Sequence, residues 1–217
     1  MTMKRWATRQ MLRGAATLFV VAGLAACGEH AVPAKASVEG NGENPAMRTE
    51  VPLTRPIALD KAGEVVNVEF VLPPPGPNAY SGLMLGVRIG RLDAASGTAM
   101  TFKLVEEELA AKVRLIRVEE GAITMVPLRR SLPSLRDQID VPPDGGVPGL
   151  TNTGVDTTML QDAGSLDPKL HYDVMQFAMA ENIQPGHYRL TINLDTDHPG
   201  LQNEQAELLV AYFKKAK

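Results

Sequence analysis

Cysteine and tryptophan are nearly absent from this sequence: each occurs once, as Cys27 and Trp6, close to the N-terminus. A single cysteine allows no internal disulfide, so a folded domain depends on its apolar core. Aromatic residues make up 5% of the chain, which disfavours a sugar-binding surface built on several exposed rings. HExxH, Gly-x-Ser-x-Gly, cysteine-based zinc spacing and a phosphate-binding glycine loop are also missing. We therefore expect a protein that is not an enzyme.

The longest apolar run extends from Gly14 to Ala26, and Thr17 is the only residue in it that carries a polar side chain. A helix of that length rises about 20 Å, less than the roughly 30 Å hydrocarbon core of a bilayer. A buried core helix would show polar residues at helical spacing, which this run does not. The pattern predicts a signal peptide over residues 1–26. Four basic residues and no acidic residue precede the run, and they are Lys4, Arg5, Arg9 and Arg13.

The run ends in Leu24-Ala25-Ala26-Cys27, which resembles the lipobox of bacterial lipoproteins. The resemblance implies that the thiol of Cys27 receives a diacylglycerol, that the chain is cut before Cys27, and that the new amine is acylated. Several acyl chains hold a protein stably at a membrane, at about 0.8 kcal/mol per buried CH₂ group. Because Gly28 and not Asp follows Cys27, the outer membrane is favoured, with the domain facing the periplasm. We expect no cofactor beyond this covalent lipid; cleavage after Ala26 with a free thiol is the alternative.

Removal of the signal peptide makes the chain more acidic. The full sequence has 22 basic and 25 acidic residues, and the loss of the four basic residues of the signal leaves 18 against 25, a net charge near −7. Such a surface is a poor partner for nucleic acid. It would speed the encounter with a basic protein partner, with strong salt dependence.

The segment after the lipobox is rich in Gly, Pro, Ala, Glu and Asn and has no apolar periodicity. We predict that residues 27–50 form a disordered tether that begins at the lipidated Cys27. A flexible coil of this length spans roughly 25 Å, so the domain would lie a short distance from the membrane. Residues 51–217 are predicted to form one domain.

Alternation of apolar and polar residues predicts strands throughout that domain. Val66, Val68 and Phe70 fall on one face of a strand over residues 64–72, which Pro73 and the following prolines end. The stripe of Phe102, Val105 and Leu109 predicts one helix from Thr101 to Lys112. Further strands are predicted at residues 83–89, 112–119, 122–128 (an edge strand because of Pro127), 172–180, 187–194 and 206–213.

The stretch Ile183-Gln184-Pro185-Gly186-His187-Tyr188 resembles the corner at which the chain crosses between the sheets of immunoglobulin-like and fibronectin-like sandwiches. The resemblance implies a hydrogen bond from the hydroxyl of Tyr188 to the backbone a few residues upstream. A hairpin about Pro185-Gly186 is the alternative, although the type II turn favoured by Pro-Gly splays hairpin strands. The expected fold is all-β: an immunoglobulin-like β-sandwich with one short helix.

Four short motifs lie in the domain: PLTRPI at residues 52–57, KAGEVV at 61–66, PGHYR at 185–189 and DHPGL at 197–201. Together they resemble a family of uncharacterised proteobacterial lipoprotein domains, over most of the chain after the tether. This resemblance implies the sandwich fold and supplies no catalytic residues.

One group of potential metal ligands depends on the choice between corner and hairpin. A hairpin about Pro185-Gly186 would bring together imidazole and carboxylate groups that suit zinc or another divalent metal. The corner would place the two strands in different sheets and separate these groups. The residues concerned are His171, Asp173, Asp195, Asp197 and His198.

Residues 140–165 are rich in Pro, Gly, Asp and Thr and show no core pattern. A loop of this length in a domain is either functional or a disordered linker. On the functional interpretation Leu150, Met159 and Leu160, together with Val155, are apolar anchors that become buried only against a partner, and Asp156 belongs to a polar rim. Tyr80, next to the proline-rich turn, is the aromatic residue expected to be most exposed.

These observations predict a lipid-anchored, non-catalytic binding or scaffold lipoprotein of the cell envelope, with a protein partner in the periplasm. Three alternatives stay open. They are an immunity lipoprotein that neutralises a toxin delivered to the periplasm, a small-ligand-binding module, and a metal-dependent enzyme.

Overall fold

The computed structural model describes residues 47–92, 103–105, 107–119, 121–132, 137–202 and 204–215. Residues 1–46, over which the sequence predicts a signal peptide, the lipidated Cys27 and most of a tether, lie outside the described residues, so these expectations stay predictions. Within the described ranges no helix has the length and apolarity needed to cross a bilayer. The chain is already ordered before residue 51, because Glu50 pairs with Val71.

The described residues contain twelve strands, a short α-helix and a 3₁₀ turn. In chain order the elements are β1 (Leu53–Ile57), β2 (Gly63–Leu72), β3 (Ala79–Arg91), β4 (Ala111–Glu119), β5 (Ala122–Met125), β6 (Arg129–Ser131), β7 (Gln138–Asp140), β8 (Gly146–Val147), β9 (Thr151–Asn152), α1 (Thr157–Asp162), β10 (His171–Ala180), β11 (Gly186–Leu194), the 3₁₀ turn (Pro199–Leu201) and β12 (Ala206–Lys214).

The strands form two antiparallel sheets. The seven-stranded sheet has the order β1-β12-β3-β10-β6-β7, and β9 also pairs with β10. The five-stranded sheet has the order β2-β11-β4-β5, and β8 pairs with β4. This arrangement confirms the predicted all-β sandwich, and it confirms β5 as an edge strand.

The main core lies between the two sheets. In the five-stranded sheet β11 alternates strictly, so Tyr188, Leu190 and Ile192 are buried while the residues between them face outward. In the seven-stranded sheet Leu85 and Val87 of β3 face the same core. Unlike β11, β3 is buried on both faces from Gly82 to Ile89, which means that a second layer covers the outer face of this sheet.

The chain crosses between the sheets at the predicted corner. β10 belongs to the seven-stranded sheet and β11 to the five-stranded sheet, so the hairpin alternative is wrong. The hydroxyl of Tyr188 donates a hydrogen bond to the carbonyl oxygen of Gln184 at 2.6 Å, and its ring stacks on Phe70 with 5.9 Å between centroids. Burial raises the pKa of the Tyr188 phenol; Arg117 opposes this effect and Glu119 adds to it.

The predicted helix from Thr101 to Lys112 is wrong at its C-terminal end. Residues 103–105 are helical, but Glu108 has a φ of +46° and β4 begins at Ala111. A residue in the left-handed region cannot continue a right-handed helix. Leu109 is fully buried, whereas the side chain of Val105 is 48% exposed. The apolar stripe was therefore not one buried face.

Residues 153–170, which we call the covering segment, form the second layer over the seven-stranded sheet. The amide of Thr153 donates to Val174 of β10, and the amide of Asp156 donates to Tyr212 of β12. Since β3 lies between β10 and β12, the chain passes over the outer face of β3 between these two bonds. A small second core results, made of Met84, Val155, Leu160, Leu209 and Ala211, with Leu166, Val174 and Phe213 at its border.

A buried arginine holds the far end of the covering segment. Arg88 of β3 is 4% exposed, and its Nη1 donates to the carbonyl oxygen of Ser165 at 2.6 Å. Its Nε donates to Glu207 at 2.8 Å, and its guanidinium lies 4.5 Å from the ring centroid of Tyr172. The charge is thus paired, hydrogen-bonded and stacked on an aromatic ring, as a buried guanidinium requires.

Candidate functional site

The residues of the predicted metal site lie in two places. His171 and Asp173 are on β10, whereas Asp197 and His198 follow β11 in the turn before the 3₁₀ turn. The carboxylate of Asp197 accepts a hydrogen bond from the amide of Ala62 at 2.8 Å and faces Lys61 at 3.7 Å. The bond from Ala62 and the charge of Lys61 lower the pKa of Asp197.

His198 is buried, and both of its ring nitrogens have partners. Its Nδ1 lies 3.3 Å from Glu107 and its Nε2 lies 3.1 Å from the hydroxyl of Thr196. In the part of the chain that the structure describes, no group of three His, Cys, Asp or Glu side chains is arranged to hold a metal ion. The corner separates the predicted ligands, as the sheet assignment of β10 and β11 requires.

The residues predicted as partner anchors are part of the fold itself. Leu150 belongs to the main core, Leu160 belongs to the second core, and Met159 packs partly against the main core. Asp156 is 3% exposed and caps α1, since its Oδ1 accepts from the amide of Thr158 at 3.0 Å. The expectation that Leu150 and Leu160 are exposed is therefore wrong, because Leu150 is buried in the main core and Leu160 packs the covering segment against the seven-stranded sheet.

The outer face of the seven-stranded sheet carries an open cleft at the end of β10, which we call the β10 cleft. Its volume is about 360 Å³, at the lower end of the range of about 300–1,000 Å³ typical of ligand pockets. Six separate segments contribute to its lining. The lining residues are Tyr80, Gly82, Ser131, Gln138, Asn152, Thr153, Gln176, Met179, Glu181 and Phe213.

The cleft exists because one edge of β10 is shared between two short strands. Thr151 and Asn152 of β9 pair with Gln176 and Met175, whereas β6 pairs further along β10 at Met179. In the stretch of β10 that separates these two contacts, the pairing register of β10 with β3 shifts from Gln176 to Ala178. A bulge of this kind bends the strand and redirects its side chains. The two partners thus diverge, and a concave surface is left between them.

Gln176 lies at the floor of the cleft and is 2% exposed. Its Nε2 lies 2.7 Å from the hydroxyl oxygen of Ser131, while its Oε1 is buried and has no hydrogen-bond partner. In this orientation the amide oxygen of Gln176 is a buried acceptor that receives no hydrogen bond from the described residues, at the floor of the cleft.

Two aromatic rings form one wall of the cleft. Tyr80 is 45% exposed, which confirms the expectation from its position beside the proline-rich turn. A Cβ atom on Gly82 would lie 3.0 Å from the ring of Tyr80 and 3.1 Å from the ring of Phe213. Both rings therefore lie close over the glycine, and a side chain at this position would displace them. The absence of a side chain at Gly82 is what allows the aromatic wall to form.

The polar lining is nearly neutral. Glu181 is the one charged residue among the described residues that line the cleft, and its carboxylate is paired with Arg129 at 3.0 Å. The remaining polar groups are carboxamides and hydroxyls, which both donate and accept hydrogen bonds. The hydroxyl of Ser131 is bonded to the Gln176 carboxamide. These groups can hydrogen-bond a polar ligand.

A second exposed surface lies on the five-stranded sheet. Ile123 and Met125 of the edge strand β5 are 70% and 55% exposed. They pair with Val118 and Ile116 of β4, so the four side chains form an apolar strip on the outer face. Open depressions border this strip, one lined by Val118 and another by Met125. We place the candidate site in the β10 cleft because the buried carboxamide of Gln176 lies at its floor.

The described residues form a two-sheet β-sandwich with an open cleft on the outer face of one sheet. Comparison of the chain with protein-family models, with curated proteins and with solved structures gave no match. The assignment of a function therefore rests on the site alone.

The sequence contained two signs of this site. Gln176 is a polar residue within the otherwise apolar stretch Val174–Ala180, and such a residue in a buried strand needs a structural or functional explanation. Glycine on the outer face of β3 indicated close packing or a bulge. Neither sign identified the other side of the cleft, because Asn152 and Thr153 lie within residues 140–165, which show no periodicity.

Proposed function

We propose that this chain is a lipid-anchored, non-catalytic binding protein of the bacterial cell envelope that holds a small ligand in the β10 cleft. The observation that carries the proposal is the carboxamide of Gln176, with one buried atom unsatisfied at the floor of an open cleft. An unsatisfied buried polar group costs about 1–3 kcal/mol. A ligand that supplies the missing hydrogen bond removes this cost, which favours the bound state.

The envelope location rests on the sequence. The basic residues, the short apolar run and the lipobox-like Leu24-Ala25-Ala26-Cys27 support export and attachment through Cys27. A tether spanning roughly 25 Å would let the cleft sample ligands close to the membrane surface. A binding role also agrees with the described lining, in which the carboxylate of Glu181 is already paired with Arg129.

The proposal is tested by closing the cleft. Asn152 is exposed at its rim, so Asn152→Trp should fill the entrance without disturbing the core. The matched control is Asn67→Trp, which places the same substitution at an exposed strand position in the five-stranded sheet. The full chain is purified in detergent and its melting temperature is measured against neutral, cationic and anionic small molecules.

We expect at least one class of compound to stabilise the wild type and Asn67→Trp but not Asn152→Trp. A ligand present at about 100 times its Kd stabilises by about 2.7 kcal/mol, a shift that is easily measured. If no compound stabilises the wild type, or if Asn152→Trp responds as the wild type does, the cleft is not the ligand site.

A further inference from the structure

We propose that the ligand of the β10 cleft is a neutral saccharide, with the flat C–H face of a sugar ring on Tyr80 and its hydroxyl groups on the polar floor and rim. This inference rests on the proposed function, because it names the ligand class of the same cleft. It also revises the expectation that the low aromatic content disfavours a sugar-binding surface, because two of the few aromatic residues, Tyr80 and Phe213, lie together in this cleft.

The charge of the described lining favours a neutral ligand. Among the residues that the structure describes, no Lys, Arg or His lines the cleft, so these residues offer no counter-charge to an anionic group. The carboxylate of Glu181 is already paired with Arg129 at 3.0 Å, which reduces its attraction for a cation. A neutral ligand is the class that this lining accepts without an uncompensated charge.

The polar groups match vicinal hydroxyls. Gln138, Asn152 and Gln176 contribute carboxamides, while Ser131 and Thr153 contribute hydroxyls. Each of these groups both donates and accepts, as each sugar hydroxyl does. Gln138 and Asn152 are exposed at the rim, and Gln176 is buried at the floor. One ring can therefore be bound at several positions, with the deepest hydrogen bond made to the unsatisfied atom of Gln176.

The aromatic wall supplies the apolar contact that a sugar ring needs. A pyranose has one face rich in C–H bonds, and such a face packs against an aromatic ring. The side chain of Tyr80 is 45% exposed, so its ring has free area for that contact. Phe213 is half-buried beside it, on the other side of Gly82. The cleft of about 360 Å³ is suited to a small ligand of one or two sugar rings.

The test measures binding of defined saccharides to the full chain in a detergent without a sugar headgroup. Cellobiose, maltose and diacetylchitobiose are titrated by isothermal calorimetry, with putrescine and benzoate as cationic and anionic comparisons. We expect at least one disaccharide to bind with one site per chain. Tyr80→Ala should weaken that binding about tenfold, because it removes the stacking ring. Tyr80→Phe should keep it, because the ring remains.

Two controls separate the site from the fold. Ile123→Ala alters an exposed apolar residue on β5, away from the cleft, and should leave saccharide affinity unchanged. Asn152→Trp should abolish saccharide binding while thermal unfolding stays cooperative.

The possible outcomes test the ligand class and the position of the binding site separately. If benzoate or putrescine binds in a manner blocked by Asn152→Trp and no saccharide binds, the saccharide is overturned and the β10 cleft stands as the binding site. If a saccharide binds equally well to Tyr80→Ala, it lies elsewhere and the inference is overturned. If none of these compounds and none of the small-molecule panel binds, both proposals are wrong.

Discussion

The phenolic hydroxyl of Tyr188 donates a hydrogen bond to the carbonyl oxygen of Gln184, with 2.6 Å between the two oxygens. The bond joins the first part of β11 to the turn that precedes it, so it fixes the path by which the chain passes from one sheet to the other. The ring of Tyr188 is buried against Phe70, and the same side chain therefore anchors both the turn and the main core.

Loss of this hydroxyl should weaken the fold without changing the packing of the ring. We expect Tyr188→Phe to lower the free energy of unfolding by about 0.5–1.5 kcal/mol, the net worth of one hydrogen bond. Urea unfolding monitored by circular dichroism measures the change. Tyr80→Phe is the matched control, because the side chain of Tyr80 is 45% exposed and its loss of a hydroxyl should cost little. Equal stability of the two variants would contradict a structural role for the corner bond.

Tyr212 makes stability depend on alkaline pH. Burial, with a smaller effect from Tyr188, raises the pKa of Tyr212 to about 12, from 10.0 for an unperturbed tyrosine. A raised pKa means that its contribution to stability is fully present below pH 10 and is lost as pH rises toward 12.

Tyr212→Phe removes that titration, along with the hydrogen bond from the hydroxyl to Pro73 at 2.6 Å. The stability difference between wild type and variant should therefore shrink by about 1 kcal/mol between pH 9 and pH 11. Urea unfolding of both proteins at each pH measures it. A difference that stays constant over this range would show that Tyr212 titrates normally in the folded protein.

Gly86 allows β3 and β10 to approach closely at the bulge. A Cβ atom at this position would lie 2.0 Å from the carbonyl oxygen of Met175 and 2.7 Å from the Cα of Gln176. We expect Gly86→Ala to destabilise the domain by about 2–3 kcal/mol or more, because backbone must move. Gly154→Ala meets no atom within 4 Å and serves as the control. Comparable melting temperatures for the two variants would contradict the close approach.

Leu160 is expected to contribute to folding and not to an exposed contact surface. It is 2% exposed within the second core, so Leu160→Ala should lower the free energy of unfolding by about 2–5 kcal/mol. Leu92→Ala, at a side chain that is 78% exposed, should stay within about 0.5 kcal/mol of the wild type. Chemical unfolding measures the stability of both variants. If Leu160→Ala is as stable as the wild type, Leu160 does not contribute to folding, and its interpretation as a partner anchor is supported again.

Attachment to the membrane is expected to depend on Cys27. Metabolic labelling with a radioactive fatty acid should mark the wild type, and Cys27→Ser should remain unlabelled, because only the thiol accepts the diacylglycerol in the lipobox reaction. When membranes are washed at high salt, the wild type should stay in the membrane fraction and the variant should be released. Wild-type protein that takes up no label and washes off would contradict the anchor.

The strands were predictable where one face of a strand meets the core and the other meets solvent. β2 and β11 show this alternation, and the apolar residues of the sequence fall on the buried face. The corner was predictable because Pro185-Gly186 and Tyr188 lie at a short fixed spacing. Both features are local, so a single stretch of sequence contains the information.

The covering segment and the cleft were not predictable, for the opposite reason. Leu150, Val155 and Leu160 are buried one at a time against a surface that other parts of the chain create, so no period appears among them. The cleft lining comes from strands that are distant in sequence. Likewise, the stripe that includes Val105 and Leu109 fits a helix by spacing, whereas the left-handed conformation of Glu108 ends it.

The covering segment connects the stability of one layer to the affinity of the cleft. It adds a second core over the seven-stranded sheet, while the main core between the sheets has its own buried residues. A layer of this kind can open locally at a lower free energy than global unfolding. Thr153 belongs both to this layer and to the wall of the cleft, so each opening removes part of the binding site. If the cleft binds a ligand as proposed, its apparent affinity should scale with the fraction of molecules in which the layer is closed, and substitutions at Leu160 or Arg88 should change binding without touching the ligand.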